Sequence, residues 1–520
     1  MKLRNLANKF FCVLLLAIFC WGQSVVNVVP AFALMPHDTV STKTYYFNQY
    51  NYNQPTRQSL YEALGITTYN DYLTALDAVQ DLRDVIVAVV DSGLDNTHPV
   101  FAGRILEEYA INFSEGINDD DTMKKWHEDH NGHGTHVAGI IADMTLDNVK
   151  ILPIKIFNGF DNEMDNYALE NAVRYLCALK NGSQSCSLLD SNGLARRKPI
   201  PVTGKLNIIA VNMSIGTDGY NVYSSEDMAE YRDDKYGYLD NGFQYTGYQD
   251  VIDNLTNNDI LPIAAAGNVG SGEYKSYTYY SLPSACEGVL AVSAYDNTKS
   301  SYQLADFSYH NDYVGVAAPG KEIWSACSQE IVDQLSSASK KNYYDVNGNY
   351  SFYKYDSSHS WYVRQDLNGA YYLRNSGTSM ATPYVTACYA MLYSDSSKTT
   401  MQDYGLTNWD ADGEDEHILN FAHKALLSAA AGEATDRGEV GYDEYFGYGT
   451  ITVLDFATDT VVTLKDINYE LAQQDDPRPA SKKNMTGDID WFLIGCILGV
   501  GTFLVWLLGR IRSYFTGRQG

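Results

Sequence analysis

Five short apolar runs punctuate the middle of this chain: Val85–Val90, Ile151–Phe157, Leu206–Met213, Ile260–Ala266 and Val289–Ala294. Each is rich in β-branched or small apolar residues and lacks the polar alternation of a strand with one wet face. Such runs read as strands buried on both sides. Helical patterns at Asp165–Leu179 and Tyr248–Asn257 lie between them. Strands alternating with helices predict an α/β fold, a mostly parallel central sheet covered by helices on both faces. A composition of 45% hydrophobic and 19% charged residues supplies the core this needs and excludes a largely disordered chain.

The ends read differently. Lys2, Arg4 and Lys9 precede the apolar run Phe10–Trp21, and Ala31-Phe32-Ala33 follows as a small-x-small cleavage site. Residues 1–33 are therefore expected to be a secretory signal peptide. Near the other end, Trp491–Leu508 is 18 residues long without a charge. As a helix it would span about 27 Å, close to a hydrocarbon core. Trp491 and Trp506 lie near its ends, acids precede it at Asp488 and Asp490, and Arg510, Arg512 and Arg518 follow. The positive-inside rule puts residues 509–520 in the cytoplasm and the upstream chain outside. The expected localisation is a single-pass cell-membrane protein with the region upstream of the span extracellular. Residues 465–490 are polar and read as a linker, and residues 34–60 as an N-terminal extension of the region 61–464.

The net charge is −27, and the basic residues of the two ends leave the exposed portion more acidic still. Such a surface has no electrostatic reason to hold nucleic acid, so no nucleic-acid partner is expected. Five cysteines fall in the exported portion: Cys177, Cys186, Cys286, Cys327 and Cys388. Cys177 and Cys186 are the nearest pair in sequence, and an oxidising compartment would permit their disulfide. Without CxxC spacing or partner histidines no zinc site is expected.

Three glycine-flanked segments carry the chemistry. Val89-Val90-Asp91-Ser92-Gly93 ends the first apolar run. Asn131-Gly132-His133-Gly134-Thr135-His136 and Asn375-Ser376-Gly377-Thr378-Ser379-Met380 each open a helical pattern. A serine hydroxyl is a weak nucleophile and needs an adjacent base. His133 has the chemistry to take its proton and later return it to a leaving amine. Asp91 would fix the imidazole tautomer and stabilise the imidazolium. A helix N-terminus after Ser379 offers N–H groups to a developing oxyanion. His98 and His136 read as structural.

These motifs, in the order Asp, His, Ser, resemble those of the subtilisin-like serine proteases, or subtilases, from about Tyr61 to Ala457. The resemblance implies a three-layer subtilisin-like fold and peptide-bond cleavage through an acyl-enzyme, with Asp91, His133 and Ser379 as the triad. Ala264-Ala265-Ala266-Gly267-Asn268 is similar to the segment that supplies the oxyanion asparagine, here Asn268. Ser214, Ile215 and Gly216 look like the strand edge that pairs with substrate backbone, by β-augmentation. Ala264–Gly267 and the stretch before Pro283 would line the pocket ahead of the scissile bond. No cofactor is required. Calcium, which subtilases often bind as a structural ion, has a candidate loop at Asn118-Asp119-Asp120-Asp121, which lacks EF-hand spacing.

The chain departs from the family pattern in four places. Residues 34–90 are too few for both a folding pro-domain and the first catalytic elements. Residues 181–205, 217–247 and 328–374 look like insertions; the first includes the basic run Ala195-Arg196-Arg197-Lys198. The last two adjoin the substrate strand and the nucleophile, so they are expected to narrow the cleft. Asp345-Val346-Asn347-Gly348 is echoed by Asp366-Leu367-Asn368-Gly369 between tyrosine-rich runs, which predicts two β-hairpins over 342–373; a wall-binding repeat is the alternative. In layout the chain also resembles the mycosins, membrane-anchored subtilases of type VII secretion systems. Two functions compete: a narrow-specificity protease processing secreted or surface polypeptides, and a structural component among secretion-complex subunits with catalysis secondary. A peptide-binding module rests on the strand edge alone.

Overall fold

The computed structural model describes residues 82–451, apart from omitted segments of which the longest are 219–244, 270–278, 400–422 and 428–441. The signal peptide, N-terminal extension, linker and membrane segment expected from the sequence lie outside the described residues. So does most of the acidic loop Asn118–Asp121. Among the described residues no helix is long and apolar enough to cross a membrane.

Seven strands form the central sheet: β1 (Val85–Asp91), β2 (Ile111–Asn112), β3 (Val149–Lys155), β4 (Ile208–Met213), β5 (Leu261–Ala265), β6 (Leu290–Tyr295) and β7 (Val314–Pro319). They lie in the order β7-β6-β5-β4-β1-β3-β2, and every pairing is parallel. Each apolar run named from the sequence is one of these strands. The pleat of β1 explains the layers. Val85, Val87 and Val89 face a core shared with helices α1 (His133–Met144) and a long later helix over Thr378–Ser394; Ile86, Ala88 and Val90 face a second core shared with α2 (Ala168–Asn181) and α3 (Tyr245–Thr256). Burying one such valine or isoleucine is worth roughly 1.5–3 kcal/mol.

The chain leaves β1 to build β2 and β3 on one side, then crosses to lay β4 on the other. That reversal makes the carboxyl end of β1 a switch point, where open α/β sheets bind ligands.

The insertions are partly structured. Residues 185–186 and 200–201 pair as a small antiparallel ladder at the base of the first, and Cys186, Leu188, Ile200 and Val202 sink into the α2–α3 core. The expected disulfide is not formed: Cys177 and Cys186 are both free thiols. Sequence proximity misled here. The Cys177 thiol donates to the Asn254 carbonyl across on α3, while Cys186 packs into the core. β8 (Ile323–Ala326) precedes the third insertion, and through it α4 (Gln329–Leu335), β9 (Tyr343–Tyr344), β10 (Tyr350–Tyr355), β11 (Ser360–Gln365) and β12 (Tyr371–Asn375) follow one another. The two hairpins read from the Asn-Gly pairs are present as β9–β10 and β11–β12. They also pair with each other and with β8 into one five-stranded antiparallel sheet. The helix Thr378–Ser394, α5, follows three residues after β12.

Candidate active site

Asp91 is the last residue of β1 and is 1% exposed. Its Oδ1 accepts the Ser92 N–H at 2.7 Å and the His133 Nδ1–H at 2.8 Å. His133 is the first residue of α1, and its side chain keeps 25% exposure. Burial disfavours charge on the imidazole, but attraction to Asp91 and the hydrogen bond with it outweigh that, with Asp129 adding to them. The net effect raises the His133 pKa.

What holds the pair is a residue the sequence reading passed over. Asp129 is 1% exposed, and its carboxylate accepts Ser92 Oγ at 2.8 Å, Gly132 N at 2.9 Å and Thr135 N at 2.8 Å, as well as Thr135 Oγ1. Ser92 Oγ in turn accepts Gly134 N at 2.9 Å, and Asn131 Oδ1 accepts His133 N at 3.2 Å. The first N–H groups of a helix have no intrahelical partner. In α1 those of His133, Gly134 and Thr135 are all taken by side chains of the Asp and His segments. One buried carboxylate thus ties the two segments together. Burial raises its own pKa against the lowering effect of these donors. Gly134 permits the close approach: a Cβ there would lie 2.1 Å from the Gly93 carbonyl oxygen.

Ser379 is the second residue of α5. Its hydroxyl donates to the Ser214 carbonyl at 3.2 Å. Four residues on, Pro383 has no N–H, so the Ser379 carbonyl lacks its helical donor. Ser214 Oγ supplies one instead, at 2.8 Å. Behind it, Asn212 Nδ2 donates to Ser214 Oγ at 3.0 Å and Thr386 Oγ1 donates to Asn212 Oδ1 at 2.9 Å. This buried polar chain ties the start of α5 to the end of β4. Val89 of β1 pairs with Asn212 of β4, so the ends of the two strands that lead to Asp91 and Ser214 lie side by side. The three proposed catalytic residues therefore meet at the carboxyl edge of β1 and β4.

Asn268 is exposed, just past β5. Its Oδ1 accepts Thr378 N at 2.9 Å. A backbone N–H only donates, so this bond fixes the amide and turns Nδ2 the other way. A Cβ built on Gly377 would sit 3.6 Å from Ser379 N and 3.7 Å from Asn268 Nδ2. The Asn268 side chain and the Ser379 N–H thus lie close to the same glycine.

The residues expected to bind substrate are spread over a larger region. Ser214 and Ile215 are buried and Gly216 is exposed, where the chain enters the short strand 217–218 that pairs with 281–282. Ala264 lies in the α2–α3 core, Ala265 is buried within β5, and Ala266 packs against Tyr309 and Val314. Gly267, at φ +112°, donates to Thr378 Oγ1 at 3.2 Å, and a Cβ there would strike the Tyr309 ring at 2.4 Å. Ser281 is a further residue of this region: its side chain lies against both Gly216 and Gly267. It falls in the stretch before Pro283 that the family resemblance assigns to the pocket.

His98 and His136 are structural, as read. His136 Nε2 lies 3.1 Å from the Ile323 carbonyl and 3.0 Å from that of Leu373. Burial, with repulsion from His133, lowers its pKa to about 3. His98 Nε2 lies 2.9 Å from the Tyr371 carbonyl. Both histidines pin β12 to the catalytic body. Among the described residues no cluster of acids, histidines and cysteines suits a metal ion.

A profile of the subtilase family matches residues 83–449. The chain is 26% identical over 395 residues to the minor extracellular protease Epr of Bacillus subtilis (strain 168), covering 75% of this chain and 41% of that protein. It is 26% identical over 313 residues to fervidolysin of Fervidobacterium pennivorans, covering 59% and 34%. Against the thermophilic serine proteinase of Bacillus sp. (strain AK1) it is 26% identical over 338 residues, covering 63% and 56%. The chain thus spans little more than half, or less, of the length of these relatives. Among solved structures, a lanthipeptide protease superposes with a TM-score of 0.45 at 18% identity, over 77% of this chain and 94% of that one. On the match across 83–449, with the three motifs inside it, this chain belongs to the subtilase family.

Proposed function

We propose that this chain is a membrane-anchored extracellular serine endopeptidase of narrow specificity, with Asp91, His133 and Ser379 as its triad. The observation that carries the reading is the convergence of the Asp91–His133 hydrogen bond, Ser379 and the Asn268 amide at one sheet edge. In the reaction Ser379 Oγ leaves the Ser214 carbonyl, passes its proton to His133 Nε2 and attacks the substrate carbonyl carbon. The C=O electron pair moves to oxygen, where Ser379 N–H and Asn268 Nδ2–H receive it. Collapse expels the amine, which takes the proton from His133, and leaves an acyl-enzyme. Water then repeats the sequence, with His133 first as base and then as acid. Asp91 holds the His133 tautomer and stabilises the imidazolium.

Anchoring is supported by the uncharged run Trp491–Leu508 and the arginines after it. Narrow specificity is supported by α4 and β12, which bring the third insertion against the His133 and Ser379 segments. The test is N-terminal proteomics of cells carrying the wild type or Ser379→Ala, together with digestion of unfolded casein by the purified enzyme. A few neo-N-termini lost in Ser379→Ala, with slow casein cleavage, are expected. Rapid, unselective casein digestion contradicts narrow specificity.

A further inference from the structure

The loop 128–132 delivers His133, and it is braced from two sides. Asp129 holds it from within. From without it meets α4, an element of the third insertion that none of the triad motifs requires. Gly132 adopts φ +77°, and the volume a side chain would fill there is occupied: Ile331 Cγ1 lies 2.7 Å and Ser328 Oγ 3.3 Å from its Cβ position. Ile331 is fully buried. One residue earlier on α4, Glu330 Oε2 meets His130 Nδ1. At the start of α4, Gln329 N donates at 2.7 Å to Asp95 Oδ2, four residues beyond Asp91. The inserted helix therefore touches both segments that carry the Asp91–His133 pair.

We propose that α4 is a latch for the catalytic histidine, with Glu330 and Ile331 as positioning residues that fix loop 128–132 and, through Gly132, the first turn of α1. The inference rests on the triad reading of the site. His133 must hold one ring orientation while it exchanges a proton with Ser379 on one side and keeps Asp91 on the other. A misplacement of about 1 Å costs on the order of 100-fold in rate. The loop contains Gly132, whose backbone has no side chain of its own to lodge it. Ile331 supplies that missing packing from another element, and Glu330 holds the adjacent His130.

The test uses the full chain in its wild-type form and as Glu330→Gln, Ile331→Ala and the double variant. Active sites are titrated with a fluorophosphonate, and kcat and KM are measured on a short peptide anilide. Glu330 is part-exposed, so Glu330→Gln is a variant that keeps the fold even if Ile331→Ala loosens it. We expect kcat to fall about 10-fold in each single variant and further in the double, with KM within about twofold of wild type. Unchanged kcat in well-folded Glu330→Gln and Ile331→Ala overturns the latch. So does a raised KM at constant kcat, which would place these residues in substrate binding. A wild type that neither labels nor turns over substrate defeats the triad reading instead, and the latch with it.

Discussion

Position 133 carries opposing demands. An imidazole half sunk beside a carboxylate must stay neutral to accept a proton, yet its surroundings favour the charged form. Because attraction to Asp91 outweighs burial, the His133 pKa lies above its ordinary 6.5. Activity needs the neutral form, so kcat/KM is predicted to fall on the acid side with a midpoint above 6.5. A pH profile on a peptide anilide measures it, and a midpoint below 6.5 contradicts the electrostatic account. In the proposed mechanism Asn268 acts later, on the oxyanion. Asn268→Ala is expected to lower kcat by about 10²–10³ while KM changes little, since the amide binds the transition state and not the resting carbonyl. A change confined to KM would assign Asn268 to ground-state binding. The proposed triad was legible in the sequence because glycines flank each member and leave a local signature. Asp129 was not: a carboxylate in a run of polar residues looks solvated until the fold buries it under four donors.

At the scale of elements, β12 and α1 are joined through His136. Its Nε2 lies between the carbonyls of Ile323 and Leu373, and burial keeps the ring neutral. The folded-state pKa is about 3, below the unfolded 6.5, so the unfolded chain binds the extra proton as pH falls. Stability from this group is therefore full above 6.5 and is lost progressively between 6.5 and about 3, at about 1.4 kcal/mol per pH unit. His133, whose pKa is raised, works with the opposite sign above 6.5. Thermal melts of wild type and His136→Gln across pH 7 to 4 separate the two: the variant is predicted to show a flatter decline. Equal slopes would remove His136 as the cause. The strands were readable because uninterrupted β-branched runs have few alternatives. β7 was missed because Gly315 and two alanines dilute its apolar signal. The Asn-Gly pairs gave the hairpins, but no local feature says that β10 and β11 should pair or that β8 should join them. The Cys177–Cys186 expectation failed for a related reason. Nearness along the chain does not align two side chains when one lies on a helix and the other on a ladder.

Over the whole molecule, one strand carries the argument from sequence to chemistry. β1 buries alternate residues in two cores, ends at Asp91, and lies beside the strand whose end holds Ser379. The family motifs made this centre legible, while the third insertion makes the chain individual. Its sheet and helix return to the same edge, with α4 against the His133 loop and β12 leading into Ser379. What the sequence could not convey was that contact, because residues 328–332 and 128–132 meet only after the sheet has formed. The central claim is that Ser379 is a nucleophile activated by this site. Fluorophosphonate labelling of the folded wild-type chain, beside Ser379→Ala, tests it most directly. The account predicts covalent labelling of the wild type at Ser379 and none in the variant; a folded wild type that resists labelling, or a variant that labels equally, would contradict it.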